Sequence, residues 1–101
     1  MMKYQSTRNA ALRATSAEAI LNGLAPDGGL YAMPGLRSLN FDWRRCLTLS
    51  TQGMAVEILC ALLPDFTREE MGRLVHAAYT GRFETEDLTP TVPVGEDTVL
   101  E

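Results

Sequence analysis

Residues 24–34 read LAPDGGLYAMP, a Pro-Asp-Gly-Gly turn set directly against an apolar quartet that a second proline closes. Pro26 presets φ at the second position of a β-turn, Asp27 can bond its own downstream backbone, and Gly28 and Gly29 accept positive φ at little steric cost. The chain must reverse sharply here. Residues 30–33 then read as a short buried strand, which Pro34 ends because it has no ladder donor. Glycines also let backbone N–H groups close on an anion. Asp27 would repel a phosphate, however, and neither G-x-G-x-x-G nor G-K-S/T is present, so the turn reads as architectural.

Upstream of the turn, Thr15-Ser16-Ala17-Glu18 matches the capping box and predicts a helix start. Ala17, Ile20, Leu21 and Leu24 follow at i, i+3, i+4 and i+7, one apolar stripe expected to face a core, and the helix must stop before Pro26. Residues 3–7, KYQST, form a brief β-tolerant segment with Tyr4 and Ser6 on one face. Strand, helix, turn, strand is the βαβ order, whose crossover predicts that residues 30–33 lie parallel beside residues 3–7.

Downstream, residues 40–48 suit a short helix capped by Asn40 or Asp42, with Phe41, Trp43 and Leu47 as its apolar residues. Residues 51–63 give a clearer helix, because Ala55, Ile58, Leu59, Leu62 and Leu63 repeat at helical spacing behind a Ser50 or Thr51 cap and Pro64 ends the run. A second capping box, Thr67-Arg68-Glu69-Glu70, opens a last helix with Met71, Leu74, Val75 and Ala78 on one stripe and Gly81 as its stop. From Phe83 onward, acids, two prolines and a glycine without helical period read as an extended connector. The predicted organisation is thus one domain over residues 1–83 and a connector over 84–101, a chain that looks like the front of something longer.

With 46% hydrophobic and 22% charged residues, the 101-residue chain has the composition of one packed domain and not of a disordered segment. Residues 1–45 carry a net +3 and the remainder −7. An acidic chain without a basic stripe argues against nucleic acid as a partner. No apolar run approaches the roughly 18 residues of a membrane span, and the start lacks the apolar core of a secretory signal. Neither membrane nor export is expected, and the cytoplasm is the expected location. Cys46 and Cys60, far apart and without histidine at zinc spacing, are expected to be free, buried or partly buried thiols, and no metal site is expected.

Three segments together carry a resemblance. Tyr4-Gln5-Ser6-Thr7-Arg8, the run Ile20-Leu21-Asn22-Gly23-Leu24-Ala25, and Asp27-Gly28-Gly29-Leu30-Tyr31 with Pro34 soon after resemble the N-terminal domain of threonine synthase. Leu74-Val75, Ala78-Tyr79 and Phe83 are similar to a later block of the same family. The resemblance implies an α/β (α+β) domain, mostly helical with a short sheet, that precedes a catalytic body of pyridoxal-phosphate (PLP) fold type II. It also implies the family's reaction, a carbon-oxygen lyase step in threonine biosynthesis that converts O-phosphohomoserine and water into threonine and phosphate. In the family, the catalytic lysine lies downstream of a stretch like Val99-Leu100-Glu101, in a lobe that follows. The sequence departs from the family pattern at Asn9, where glycine is usual, and in LYAMP, which has one residue more than the usual run before proline. A cloning remnant is a rival source for Leu100-Glu101.

The residues by themselves agree that chemistry lies elsewhere. A PLP enzyme needs an amine that condenses with the cofactor aldehyde, and the one lysine here is Lys3, near a terminus. No catalytic, cofactor-binding or metal residue is therefore expected in this chain, which by itself is expected to be inactive and to bind no PLP. Ser6, Thr7 and Arg8 are the candidates for touching substrate or the catalytic lobe, with a solvated strand end as the plainer alternative; Asp27, Gly28 and Gly29 are the structural turn. The Arg8 fork suits either the substrate phosphate or a carboxylate of the protein. An apolar face involving Tyr31, Met33 and Trp43 is expected to stay uncovered without the lobe and to favour self-association. The competing reading is a free-standing protein–protein interaction module. A complete small enzyme is disfavoured, since one histidine, two cysteines and scattered carboxylates assemble no nucleophile, base and orienting group.

Overall fold

The computed structural model describes residues 3–81 and 87–100. Its elements are β1 (Tyr4–Ser6), β2 (Arg13–Ala14), α1 (Ser16–Asn22), β3 (Tyr31–Ala32), α2 (Trp43–Cys46), α3 (Thr51–Leu62), α4 (Arg68–Tyr79), β4 (Thr91–Val94) and β5 (Asp97–Leu100), with a 3-10 turn at Leu36–Ser38. The described residues thus form a small mixed α/β domain with more helix than strand and with short antiparallel sheets.

β1 sits in the middle of a three-stranded sheet of order β2-β1-β3 and runs antiparallel to both neighbours, pairing Gln5 with Arg13 on one side and with Ala32 on the other. The expected parallel βαβ unit does not form. A parallel pair needs a crossover that carries the chain back along the sheet, and the seven residues of α1 are too short for one. Instead Leu24 bridges Leu30 across the Pro-Asp-Gly-Gly turn, so residues 24–30 fold as a hairpin that delivers β3 antiparallel to β1.

The strand β2, which the sequence reading lacks, follows from Asn9. Its side-chain oxygen accepts the Ala11 N–H at 3.0 Å, its carbonyl accepts the Leu12 N–H at 3.0 Å, and Ser6 N–H then donates to the Leu12 carbonyl at 2.9 Å. Asn9 turns the chain through this local hydrogen bonding and not through the left-handed region, which no described residue other than glycine enters.

All three main helices start where their caps predict. Thr15 and Glu18 exchange both bonds of a capping box at α1, Thr67 and Glu70 do so at α4, and Ser50 caps α3 through the Gly53 N–H. Asp42, one of the two candidates, caps α2. The apolar stripes fare less well. Met71 and Val75 of α4 are buried with Cys46, Ala14 and Ala25, but Leu74 and Ala78 are exposed, and no residue of α3 is fully buried.

The largest correction concerns α1. Ile20 is 60% exposed and Leu21 85%, because the helix turns the small side of Ser16 and Ala19 inward and leaves its apolar stripe outside. Of the residues expected on an uncovered apolar face, Trp43 is 58% exposed while Tyr31 and Met33 are half-buried. Cys46 and Cys60 are free thiols, the first buried and the second half-buried.

The expected boundary at residues 83 and 84 lies outside the described residues. Beyond it the chain is not an unpaired connector: β4 and β5 form an antiparallel hairpin with Val94 opposite Asp97, closed by a two-residue turn whose first position, Gly95, has φ 62°. No described helix is long and apolar enough to cross a membrane.

Burial ranks two substitutions against the apolar pattern. Met71→Ala, in the core, is expected to cost about 2–5 kcal/mol, and Leu21→Ala less than about 0.5 kcal/mol. Urea unfolding of both variants measures the difference, and equal losses would contradict the placement of α1.

Candidate functional site

The six residues singled out from sequence come together in one hydrogen-bonded knot at the end of β1. Ser6, buried at the strand end, donates its hydroxyl to both Asp27 oxygens, at 2.8 and 3.1 Å, and accepts the Arg8 N–H at 3.2 Å. Asp27 Oδ1 also accepts the Gly29 N–H at 2.9 Å. Thr7 and Leu30 are joined twice, by Thr7 N–H to the Leu30 carbonyl at 2.8 Å and by Leu30 N–H to Thr7 Oγ1 at 3.0 Å. Arg8 reaches back over the turn and donates from one guanidinium nitrogen to the Asp27 carbonyl at 2.9 Å.

Sequence explains each part of this arrangement. Pro26 and Asp27 occupy the turn between Ala25 and Gly28, whose N–H donates to the Ala25 carbonyl at 2.9 Å. Gly28 has φ 81°, a conformation that favours glycine, and a Cβ there would stand 2.9 Å from the Arg8 guanidinium. Gly29 is needed for space: a Cβ on it would collide with Ser6 Oγ and stand 3.0 Å from Asp27 Oδ1.

The electrostatics follow. The Gly29 amide first, then the Ser6 hydroxyl, with Arg8 nearby as a smaller contribution, hold the Asp27 carboxyl below the usual carboxylate range against partial loss of hydration. Ser6 is enclosed and its hydroxyl is committed to the protein. Thr7 and Arg8 are exposed, and the guanidinium uses one of its donors on the turn, so Arg8 is the member of the trio that can meet a further anion.

These residues do not suit PLP. The Gly28 and Gly29 amides, which would have to face a phosphate, are taken by the Ala25 carbonyl and by Asp27, and a carboxylate stands in their place. Lys3 is exposed at the start of β1. Among the described residues no group of three or more histidine, cysteine, aspartate or glutamate side chains is placed to hold a metal ion.

Beside the knot, a groove of about 330 Å³ is lined by Tyr4, Ile20, Gly23, Leu30, Tyr31 and Leu63. Leu21 and Leu24, close in sequence to its lining residues Ile20 and Gly23, are exposed as well. Two contacts behind this surface escape the sequence reading. Asp65, between α3 and α4, accepts the Ser16 N–H at 2.8 Å and the Ala17 N–H at 3.0 Å, and the Tyr4 hydroxyl donates to the Leu62 carbonyl at 2.6 Å. The signal for Asp65 is slight: a carboxylate just after Pro64 that serves no helix of its own.

A family model described as Threonine synthase N terminus matches residues 3–79, a span that includes the whole knot. Among curated relatives, a threonine synthase of Methylobacillus glycogenes is 30% identical over 108 residues, covering 98% of this chain and 23% of its own length. A threonine synthase of Corynebacterium glutamicum is 32% identical, with 98% and 22% covered. A threonine synthase-like 2 protein of Rattus norvegicus is 37% identical over 86% of the chain and 18% of its own length. The chain therefore spans about a fifth of the length of these relatives.

The fit of Gly29 gives a paired test. Gly29→Ala is expected to cost about 2 kcal/mol or more by opening the Ser6–Asp27 bond. Gly72→Ala, where a Cβ on α4 meets nothing within 4 Å, is expected to gain about 0.5–1 kcal/mol. Because the folded pKa of Asp27 is depressed, its contribution is fully present above the ordinary value near ~3.9 and is lost as pH falls through the lower folded value. Asp27→Asn should flatten that acid limb in unfolding measured against pH, and an unchanged limb would contradict the knot.

Proposed function

The chain belongs to the threonine synthase N-terminal family, and from that premise we propose that it is the N-terminal domain of a PLP-dependent threonine synthase. The proposed reaction converts O-phosphohomoserine and water into threonine and phosphate. PLP, held by a catalytic lobe, supplies the electron sink for that chemistry. The chain's own part is to pack on the lobe, to shape the entrance to its site and to exclude water there. The observation that supports this reading best is that the Ser6–Asp27 knot is joined, through the paired hydrogen bonds of Thr7 and Leu30, to a residue that lines an uncovered apolar groove, all within the span that matches the family.

In this reading Ser6 and Asp27 are positioning residues. Thr7 ties β1 to the turn, and Arg8 is the contact to the lobe or to the substrate phosphate. The uncovered stripe of Ile20 and Leu21 supports a covering partner, and the lobe of the same polypeptide is the simplest one. A free-standing interaction module is the alternative that the same stripe would serve. The proposed place of action is the cytoplasm.

The test is a chimera in which this chain replaces the matched N-terminal part of the Methylobacillus glycogenes enzyme. Threonine formation from O-phosphohomoserine is the expected result, and a folded, PLP-loaded chimera without it would count against the assignment. Within an active chimera, Arg8→Lys separates the two roles of Arg8. A KM raised at least about tenfold with unchanged melting assigns it to substrate phosphate, and a melting temperature lowered in the chimera but not in the 101-residue chain, with unchanged KM, assigns it to the lobe. If neither moves, Arg8 has no role.

A further inference from the structure

The hairpin of β4 and β5 pairs with no other strand among the described residues, and both of its strands are largely exposed. A lone two-stranded hairpin is marginal in water. Its two edges are not equivalent. The two-residue turn between Val94 and Asp97 makes them a hydrogen-bonded pair, and pair types alternate along an antiparallel ladder. Val92 and Val99 are then the next hydrogen-bonded pair, while Pro93 and Thr98, like Thr91 and Leu100, turn their backbone groups outward.

On β4 that outward edge is interrupted, because Pro93 has no N–H. On β5 it is complete: Thr98 and Leu100 each present an N–H and a C=O. Cross-strand partners share a face, so Val92, Val94 and Val99 lie together, with Asp97 opposite Val94 at the turn end of the same face and Val94, Val99 and Asp97 exposed. One edge of the hairpin is blocked, the other is open, and one face carries three valines with Asp97 only at its turn end.

We propose that the outer edge of β5 is a docking edge that adds the hairpin to a sheet of the catalytic lobe, with the valine face packed against it. This rests on the N-terminal-domain reading above. The relatives supply the reason for choosing the lobe: this chain covers 23% and 22% of the two bacterial threonine synthases, so most of each lies beyond the matched part. A second copy of this chain is a poor occupant, since four residues of β5 fall far short of the roughly 20–30 a side of a stable interface. A tethered lobe needs no such area, because its effective concentration is high. Main-chain pairing of this kind takes its strength from the ladder and its selectivity from alternate side chains.

Amide hydrogen exchange in the 101-residue chain and in the chimera tests this. The expected result is that the Thr98 and Leu100 amides exchange at least about tenfold more slowly in the chimera than in the chain alone. Thr98→Pro deletes one outward donor and leaves the β4–β5 ladder intact, as proline does opposite it at Pro93. In the chimera it should return the Leu100 amide to fast exchange while Val99 stays protected. Thr98→Val, which keeps the amide, should retain the slow exchange.

An active chimera in which Leu100 exchanges as fast as in the chain alone overturns the docking edge and leaves the family reading standing. Slow exchange of Leu100 in the chain alone that strengthens with concentration also overturns it, in favour of a second copy. An inactive chimera with fast exchange overturns both readings.

Discussion

The carboxylate of Asp65 governs how the two halves of this domain meet. It accepts the first two amides of α1, from Ser16 and Ala17, while the Thr15 hydroxyl takes the third from Glu18. Those are orphan donors at the positive end of a helix dipole. A helix of seven residues is marginal in isolation, and α1 has its largest apolar side chains facing out, so end capping does what packing does elsewhere. Burial opposes ionisation of Asp65, yet the Ser16 and Ala17 donors outweigh it and hold its pKa below the ordinary value. The Tyr4 hydroxyl on the Leu62 carbonyl adds a second polar tie between the sheet and the end of α3, and burial there raises the Tyr4 pKa, with Asp65 adding to it. A third junction, on the far side, joins α2, α3 and α4 through Glu57, which Arg68 grips with both guanidinium nitrogens and Arg45 approaches at 3.9 Å.

Local chemistry was legible in the sequence and tertiary geometry was not. Capping boxes at Thr15 and Thr67, the Ser50 and Asp42 caps and the reversal at Asp27 are decided within four residues, and each stands where the residues put it. The direction of β3 was misread because a short helix followed by a second reversal undoes the crossover that strand-helix-strand order suggests. The stripe of Ile20, Leu21 and Leu24 has core periodicity, but α1 is tied to the rest of the domain at its end, by a carboxylate 48 and 49 positions away from its partners. Nothing at Ser16 or Ala17 announces that partner.

The candidate site shows the same division. Its six residues stand out by their sequence pattern and converge in space, but they do not all offer contacts. Ser6 is consumed by Asp27, Thr7 by Leu30, and the glycine amides by the turn, which leaves a rigid edge with Arg8 as its available charge. Such an edge costs little to order when a partner arrives, since its side chains are already fixed. The uncovered groove, the outward face of α1 and the open edge of β5 are the surfaces that the proposed lobe would cover, and the chain spans about a fifth of the length of its relatives.

The most direct measurement is amide exchange across α1 in Asp65→Ala, with α4 as the internal reference. Because the Asp65 pKa is depressed, its clasp is complete above the ordinary carboxylate pKa and opens as pH falls through the lower folded value, so neutral pH is the right condition. Loss of at least about tenfold protection at Ser16 and Ala17, with Met71 and Val75 unchanged, is the expected result. Unchanged protection at Ser16 and Ala17 would contradict the claim that this carboxylate, and not an apolar core, holds α1 against the rest of the domain.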